Sequence, residues 1–328
     1  MNTILRNLKD ANRIAVFSHY VPDADALCSS VALKKIIKNN YDDKIVDLFF
    51  DGEIGELYDH ILRDEVINPR PLKYYDMAFV LDCPNLSRTG RYKDLAESIP
   101  VIFNIDHHST NERFGSYNCV APKCSSTCEI VYSIAKANNL EIDNDIAKSL
   151  FQGIITDTND FTSYSVWDKT HRVASELMKY KFDHTGIREY YKKASKAKMT
   201  LLKNALDALK YSIDDKLAIT RLSYQCFENA SAKYEDTFGI IDEVKRCGAP
   251  VSAILIEKKP EDIYISMRGD GQVDIGEIAK ANGGGGSQYL GAYQADGTLD
   301  EVETSLVKQL KPILDGLEQS DKKEEMLY

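Results

Sequence analysis

The stretch Ile14-Ala15-Val16-Phe17-Ser18-His19-Tyr20-Val21-Pro22-Asp23-Ala24-Asp25-Ala26 reads as a strand, a tight turn and the start of a helix. Ile14 to Ser18 is apolar throughout its first four residues, the pattern of a strand buried on both faces. Pro22 fixes its own φ and restricts Val21 before it, which stiffens the turn. From Ala26 to Lys38 the apolar residues Leu27, Val31, Leu33, Ile36 and Ile37 recur at helical spacing. A buried strand feeding straight into a helix is the repeating unit of a mostly parallel sheet.

The unit recurs along the first half of the chain. Lys44 to Phe50, Met77 to Asp82 and Val101 to Asp106 read as further strands, with helical stretches at Glu53 to Leu62 and Lys93 to Glu97. The fold class is therefore α/β, with a mostly parallel N-terminal sheet covered by helices on both faces. Helices follow at Thr127 to Asn138, Asp145 to Gly153 and Lys169 to Tyr180, and a long Lys-rich polar helix is expected over 185–209 as a connector. Its lysines suit either a solvated face or electrostatic guidance of an anionic substrate. Beyond it, strands at Lys216 to Leu222, Val251 to Glu257 and Asp262 to Arg268 alternate with helices at Phe238 to Cys247, Asp274 to Ala281 and Leu299 to Leu317. The expected organisation is a catalytic metal-binding domain over 1–184, the connector, a smaller α/β substrate domain over 210–319 and a charged tail over 320–328.

Composition narrows the function classes. In 328 residues, 43% apolar content is ample for two cores, and a formal net charge of −10 disfavours long duplex nucleic acid as a partner. No apolar run approaches the roughly 20 residues needed to span a bilayer, and the N-terminal residues lack the apolar core of a secretory signal, so a cytoplasmic protein without a membrane partner is expected. The seven cysteines are odd in number and scattered, which predicts free thiols and no disulfide framework.

Six residues carry the chemistry: His19, Asp23, Asp25, Asp82, His107 and Asp157. Each stands at or just past the end of a buried strand or an apolar stretch, and ligands of open α/β sheets bind beyond the carboxyl ends of the strands. Singly each is weak, since an aspartate at a strand end is ordinarily a cap or turn residue. Together, four carboxylates and two imidazoles repel or crowd one another unless cations intervene, and this mixed oxygen and imidazole set suits Mn²⁺ or a related divalent ion. In a tight turn Asp23 and Asp25 point to different sides and can serve different ions, His19 joining Asp23. Asp82 and Asp157 are then the natural bridges, and His107 completes the second ion. Two ions roughly 3.5–4 Å apart clamp a phosphate and activate water for displacement at phosphorus. The remaining histidines, His60, His171 and His184, have no metal-ligand context and are expected in surface or packing roles.

The motifs His19-x-x-Pro22-Asp23-x-Asp25-Ala26, Asp82, Asp106-His107-His108 and Thr156-Asp157-Thr158 resemble those of the DHH-family phosphoesterases. Arg88-Thr89-Gly90 and Ser125-Ser126-Thr127 support the likeness. Ser266-x-Arg268, Asp274-Ile275 and Gly283 to Gly286 resemble the C-terminal DHHA1 domain of that family, and the length resembles its compact nanoRNase and pAp-phosphatase subgroup. The resemblance implies two Mn²⁺ ions, other divalent ions being possible, one on His19, Asp23 and Asp82 and one on Asp25, Asp82, His107 and Asp157. It implies His108 as a phosphate contact and proton donor to the leaving group, with Asp106 orienting an imidazole from behind. Arg268, Gly284, Gly285, Gly286 and Ser287 are implied as the substrate-binding residues, because a glycine run lets backbone N–H groups approach a phosphate and arginine presents a forked donor. Ser287 departs from the histidine usual in the family, which bears on substrate identity rather than on the reaction. A homodimer acting on a small phosphorylated nucleotide or short oligonucleotide is the implied assembly.

The leading expectation is thus a metal-dependent phosphoesterase that converts dinucleotides such as pApA and pGpG to nucleoside 5′-monophosphates, pAp to AMP, or both. An inorganic pyrophosphatase of the related DHH/DHHA2 type resembles the N-terminal half equally well, although its Ser-Arg-Lys-Lys cluster is not found in this sequence. A nucleotide-binding regulatory protein without turnover is the remaining alternative, motivated by the altered segment Gly283 to Ala292.

Overall fold

The computed structural model describes residues 3–317. The chain divides into two compact units, Met1–Lys192 and Lys193–Tyr328. Within the first, α1 (Thr3–Asp10), β1 (Arg13–Phe17), α2 (Ala24–Asn40), β2 (Ile45–Phe49), α3 (Asp59–Leu62), β3 (Met77–Leu81), α4 (Lys93–Glu97), β4 (Ile102–Asp106), β5 (Tyr117–Val120), α5 (Thr127–Ala137), α6 (Asn144–Asp157), α7 (Asp168–Leu177) and α8 (His184–Lys192) follow in order. The five strands form one sheet in the order β2-β1-β3-β4-β5, and every neighbouring pair is parallel.

Alternation along the strands supplies two cores. Ile14, Val16, Phe79, Leu81 and Ile105 pack against α2, α5 and α6 through residues such as Leu27, Val31, Ile130 and Phe151. Ala15, Phe17, Phe49, Ala78 and Val80 face the other way and pack with Ala96 of α4 and Ile99. Burying both faces explains why these strands read as continuous apolar runs.

The second unit holds α9 (Lys196–Asp207), β6 (Lys210–Ser212), β7 (Leu217–Leu222), α10 (Tyr224–Ala230), α11 (Ile240–Lys245), β8 (Val251–Lys259), β9 (Asp262–Gly269), α12 (Ile275–Ala281), β10 (Gly285–Ser287), β11 (Leu290–Asp296) and α13 (Leu299–Asp315). Its sheet runs β10-β11-β9-β8-β7-β6, with only β7 and β8 parallel. Met267, Ile265 and Leu255 bury one face under α12 and α13, and Ile254, Ile256 and Leu222 bury part of the other under α9, α10 and α11. Among the described residues no helix is long and apolar enough to cross a membrane, and all seven cysteines are free.

Several elements differ from the expectation. The single helix over 185–209 is two, α8 and α9, because Ser195 breaks the run and caps α9, its Oγ accepting from Lys198 N at 2.9 Å. The expected helix over 53–62 shrinks to a 3-10 turn at Glu56–Tyr58 and the short α3. β5, β6, α10 and the hairpin of β10 and β11 were not expected at all; the glycine run expected as a loop contributes an edge strand. The charged tail over 320–328 lies outside the described residues.

Candidate metal centre

Five segments of the first unit bring the candidate donors together. The turn after β1 carries His19 and ends in Asp23, which caps α2 by accepting from Ala26 N at 3.0 Å, while Asp25 lies in the first turn of that helix. Val21 sits at a φ of 52°, a left-handed conformation that a β-branched residue adopts only under constraint. The constraint comes from the neighbouring segments: Val21 N donates to Asp51 O at 2.9 Å, and Tyr20 N donates to Arg88 O. The role visible for Arg88 is thus a backbone one, beside an exposed side chain.

Asp82 follows β3 with a φ of 56°, and its N–H donates to Ile105 O at 3.0 Å. The strand ends there, and the left-handed residue turns its carboxylate into the pocket. Asp82 Oδ2 lies 3.7 Å from His19 Nε2, and Asp82 Oδ1 lies 3.4 Å from His107 Nε2. His19 Nε2 is 3.9 Å from Asp23 Oδ1, and His107 Nε2 is 3.7 Å from Asp157 Oδ2. Three donor sets emerge, each with its atoms within 4.8 Å of one another: His19, Asp23 and Asp82; Asp25, His107 and Asp157; and Asp82, His107 and His108. All six residues expected from the sequence meet in this pocket. Asp157 arrives from the C-terminal end of a helix, α6.

The imidazoles are oriented from behind. His19 Nδ1 lies 3.0 Å from the Tyr20 carbonyl oxygen, so in the neutral ring Nδ1 donates and Nε2 keeps its lone pair toward Asp23 and Asp82. His108 Nδ1 is 2.7 Å from Oδ1 of the fully buried Asp106. Asp106 Oδ2 accepts from Asn111 Nδ2 at 2.6 Å, and Asn111 reaches Asn104 Oδ1 at 2.8 Å. The imidazole that Asp106 orients is therefore that of His108.

Asp25 has the tightest setting. Its Oδ2 accepts from Thr127 N at 2.6 Å and its Oδ1 from Cys128 N at 3.0 Å, so the N-terminus of α5 is aimed at the carboxylate. Thr127 Oγ1 donates to Asp82 Oδ1 at 3.0 Å and ties the two acids to one helix end. Gly153 makes room from the other side: a Cβ there would run into Cys128 Sγ and lie 2.9 Å from Asp25 Oδ1. Behind α5, buried Glu129 accepts from Ser125 N at 3.0 Å and from Thr170 Oγ1 at 3.0 Å, fixing the segment that presents Thr127. Thr127 was visible in the sequence only as part of a helix start; nothing in the sequence signalled Asn104, Asn111, Glu129 or Gly153.

The pocket's charge is uncompensated. Among the described residues no Lys or Arg lies within ion-pair distance of Asp23, Asp25, Asp82, Asp106 or Asp157; histidines are their partners. Burial, with Asp82 next in weight, pushes the Asp25 carboxyl up to about 7. Burial likewise drives Asp157 well above its usual range, although His107 opposes the shift. Burial disfavours a charged His107, but Asp82 and Asp157 outweigh it and hold the imidazole well above its ordinary value. Carboxyls and imidazoles packed this closely, with histidines as the acids' ion-pair partners, form donor sets that could hold a divalent cation. The donor chemistry fits Mn²⁺ or a similar ion.

The other histidines stand apart. His171 stacks on Phe161 with centroids 5.0 Å apart, and His60 packs edge-on to Tyr190 at 4.5 Å with Gln152 Nε2 at 2.6 Å from its Nε2.

The residues expected to bind substrate lie in the second unit. Arg268, on β9, donates from Nε to Asp242 Oδ1 at 2.8 Å and from Nη1 toward Ser266 Oγ at 3.3 Å. Gly285, Gly286 and Ser287 form the exposed edge strand β10. Side chains at 284 and 286 would run into the Ala292 and Leu290 carbonyl oxygens, so the tight hairpin accounts for those two glycines. Gly285 is different, for a Cβ there meets nothing within 4 Å.

Comparison with known proteins agrees with this architecture. Residues 13–154 match the family model described as DHH family, N-terminal domain. A probable bifunctional oligoribonuclease and PAP phosphatase NrnA of Streptococcus mutans is 29% identical over 294 residues, covering 87% of this chain and 90% of that protein. The bifunctional oligoribonuclease and PAP phosphatase NrnA of Bacillus subtilis is 24% identical over 314 residues, covering 92% and 97%. The crystal structure of an exopolyphosphatase-related protein from Bacteroides fragilis superposes with a TM-score of 0.85 at 24% identity, covering 95% of this chain and 96% of that one. That last likeness speaks to the fold alone.

Proposed function

We propose, on the premise that residues 13–154 are a DHH-family N-terminal domain, that this chain is a divalent-metal-dependent phosphoester hydrolase of short nucleotides. It releases nucleoside 5′-monophosphates from dinucleotides and short oligonucleotides, removes the 3′-phosphate of pAp, or does both. The observation that carries this reading is the convergence of Asp25, Asp82 and Asp157 on His107 and of Asp23 and Asp82 on His19, with no lysine or arginine among the described residues to balance them. The substrate class is supported by what the Streptococcus mutans and Bacillus subtilis relatives are named for.

His19, Asp23 and Asp82 would hold one Mn²⁺, and Asp25, Asp82, His107 and Asp157 the other. The chemistry supplied by such ions when bound is polarisation of the phosphate and a water of lowered pKa. The protein's own groups do the rest. Thr127 Oγ1 fixes the rotamer of Asp82, the residue shared between the two sets. Asp106, itself held by Asn111, keeps His108 Nδ1 engaged and leaves Nε2 to deliver a proton to the leaving oxygen. Arg268, with the backbone of Gly284, Gly285, Gly286 and Ser287, receives the part of the substrate away from the scissile bond. The resemblance also carries a homodimer, which light scattering of the purified chain tests.

The deciding measurement is a Mn²⁺ hydrolysis panel of pAp, pApA, pGpG, cyclic di-AMP, a five-residue oligoribonucleotide and pyrophosphate. Turnover of pAp or the linear dinucleotides is expected. If all the nucleotides stay intact, or pyrophosphate alone is cleaved, the reading is wrong.

A further inference from the structure

One arrangement in the second unit has no task in the chemistry above. On the α9–α11 side of its sheet, Tyr234 packs edge-on to Phe238 at 5.6 Å and to Tyr264 at 5.8 Å between centroids. Lys258 Nζ lies 4.3 Å over the Tyr234 ring and 4.6 Å over the Tyr264 ring. The neighbouring Lys259 pairs with Asp262 at 3.5 Å, whereas Lys258 has no carboxylate partner among the described residues. In a chain of net charge −10, a cation held by two ring faces instead of an acid keeps its charge available to an anion.

Packing explains only part of this cluster. Tyr234 and Tyr264 rest partly against the core beneath α9–α11, but Phe238 is 54% exposed. A cavity of about 330 Å³ opens beside Tyr234 and Lys258, walled further by Tyr224 and Phe227 and by one acid, Glu228. An aromatic ring in water, next to an unpaired ammonium and an open cavity, matches a planar ligand that carries negative charge.

The cluster is continuous with Arg268. Residues of β9 alternate in burial, so Tyr264, Ser266 and Arg268 share the face opposite the buried Ile263, Ile265 and Met267. Four residues of strand separate Tyr264 from Arg268 by about 13 Å. That exceeds the reach from one base to its own phosphate, so the rings and the guanidinium would engage different residues of one strand.

We propose that Phe238, Tyr234, Tyr264 and Lys258 form a second nucleotide subsite. A base of a single-stranded oligonucleotide stacks on the exposed aromatic surface and its phosphate meets Lys258, while Arg268 holds a phosphate further along. The subsite rests on the short-nucleotide reading for its substrate class. Stacking tolerates any base, so the subsite selects for length rather than for sequence. Its consequence is tighter binding of oligonucleotides of several residues than of dinucleotides.

The test is isothermal titration of the full chain in EDTA with pApA and with a five-residue oligoadenylate. The wild type is expected to bind the pentamer more tightly. Phe238→Ala and Lys258→Gln, both at exposed positions, should each weaken the pentamer by about 5- to 100-fold and bring the pentamer-to-dinucleotide ratio toward one. No preference for the pentamer in the wild type, or an unchanged ratio in both variants, overturns the subsite. Mn²⁺ hydrolysis of pAp and pApA by the wild type is read separately: failure there sinks the phosphoester reading, while metal-free binding still decides the subsite.

Discussion

The donor pocket of the first unit and the open sheet face of the second are built by opposite means. In the pocket, two acids are each fixed by more than one contact: Asp82 by a left-handed backbone, Ile105 O and Thr127, and Asp25 by two backbone N–H groups. In the sheet of the second unit, Arg268 has one carboxylate partner, and the edge strand β10 is three exposed residues, two of them glycine. Chemistry at phosphorus demands placement to a fraction of an ångström, whereas holding the remainder of a flexible nucleotide, the role proposed for the sheet face, does not. The pocket should therefore respond to small changes with large losses, and the face with graded ones.

The sharpest way to break that contrast is Asp82→Ala. Because Asp82 is shared between donor sets, its loss should lower kcat/KM by at least about 10³-fold, equivalent to about 4 kcal/mol of transition-state stabilisation. Steady-state kinetics with pAp or pApA checks this, and a comparable loss from Arg268→Gln would erase the distinction. Gly153→Ala is next. Its methyl group would collide with Cys128 and crowd Asp25, so it should cost about 1–3 kcal/mol of stability and reduce activity along with it. Thermal melts of the metal-free chain and single-turnover rates measure the two effects.

Metal removal gives a third, pH-dependent test. Asp25 titrates near 7 in the folded, metal-free unit, against about 4 in an unfolded chain, and Asp157 is shifted the same way. The folded state thus holds protons that the unfolded chain has released, so the stability these groups contribute is present at low pH and drains away as pH rises toward 7. Cations favour the ionised carboxyls and a neutral His107, and their binding strengthens over the same interval. The rise in Tm on adding Mn²⁺ to EDTA-treated protein should grow between about pH 5.5 and pH 8; a rise independent of pH would contradict the electrostatics of the pocket.

The smallest effects belong to the glycine edge. Gly286→Ala meets a carbonyl oxygen and should destabilise the second unit by about 1–3 kcal/mol, while Gly285→Ala, facing open space, should change stability by no more than about 0.5 kcal/mol. If Gly285→Ala nonetheless weakens nucleotide binding, the missing side chain serves a ligand's approach. Equal melting temperatures for the two variants would show that the hairpin is not as tight as its contacts imply.

What the sequence made legible follows the same division. Parallel strands buried on both faces announce themselves as apolar runs, and acids at their ends are visible one by one, which is why His19, Asp23, Asp25, Asp82 and His107 could be read together. Asp157 was legible as an acid closing an apolar stretch, though that stretch is the last turn of a helix. Asn111 and Asn104 were not, since nothing local distinguishes an asparagine that braces a buried aspartate from one in a turn. In the second unit, Gly283 to Gly286 composes like a loop, and only pairing with Leu290 to Ala292 makes it a strand. The same tertiary override hid β5 and β6, short edge strands with little periodicity of their own.

The grip of α5 on Asp25 has a consequence for anyone mapping this pocket by substitution. Thr127 and Cys128 hold the carboxylate through main-chain N–H groups, which every residue except proline possesses. An alanine scan would report Thr127 for its hydroxyl and Cys128 for its buried thiol, and in neither case the N–H. The cradle would become visible only to a proline, or to a backbone ester in place of the amide.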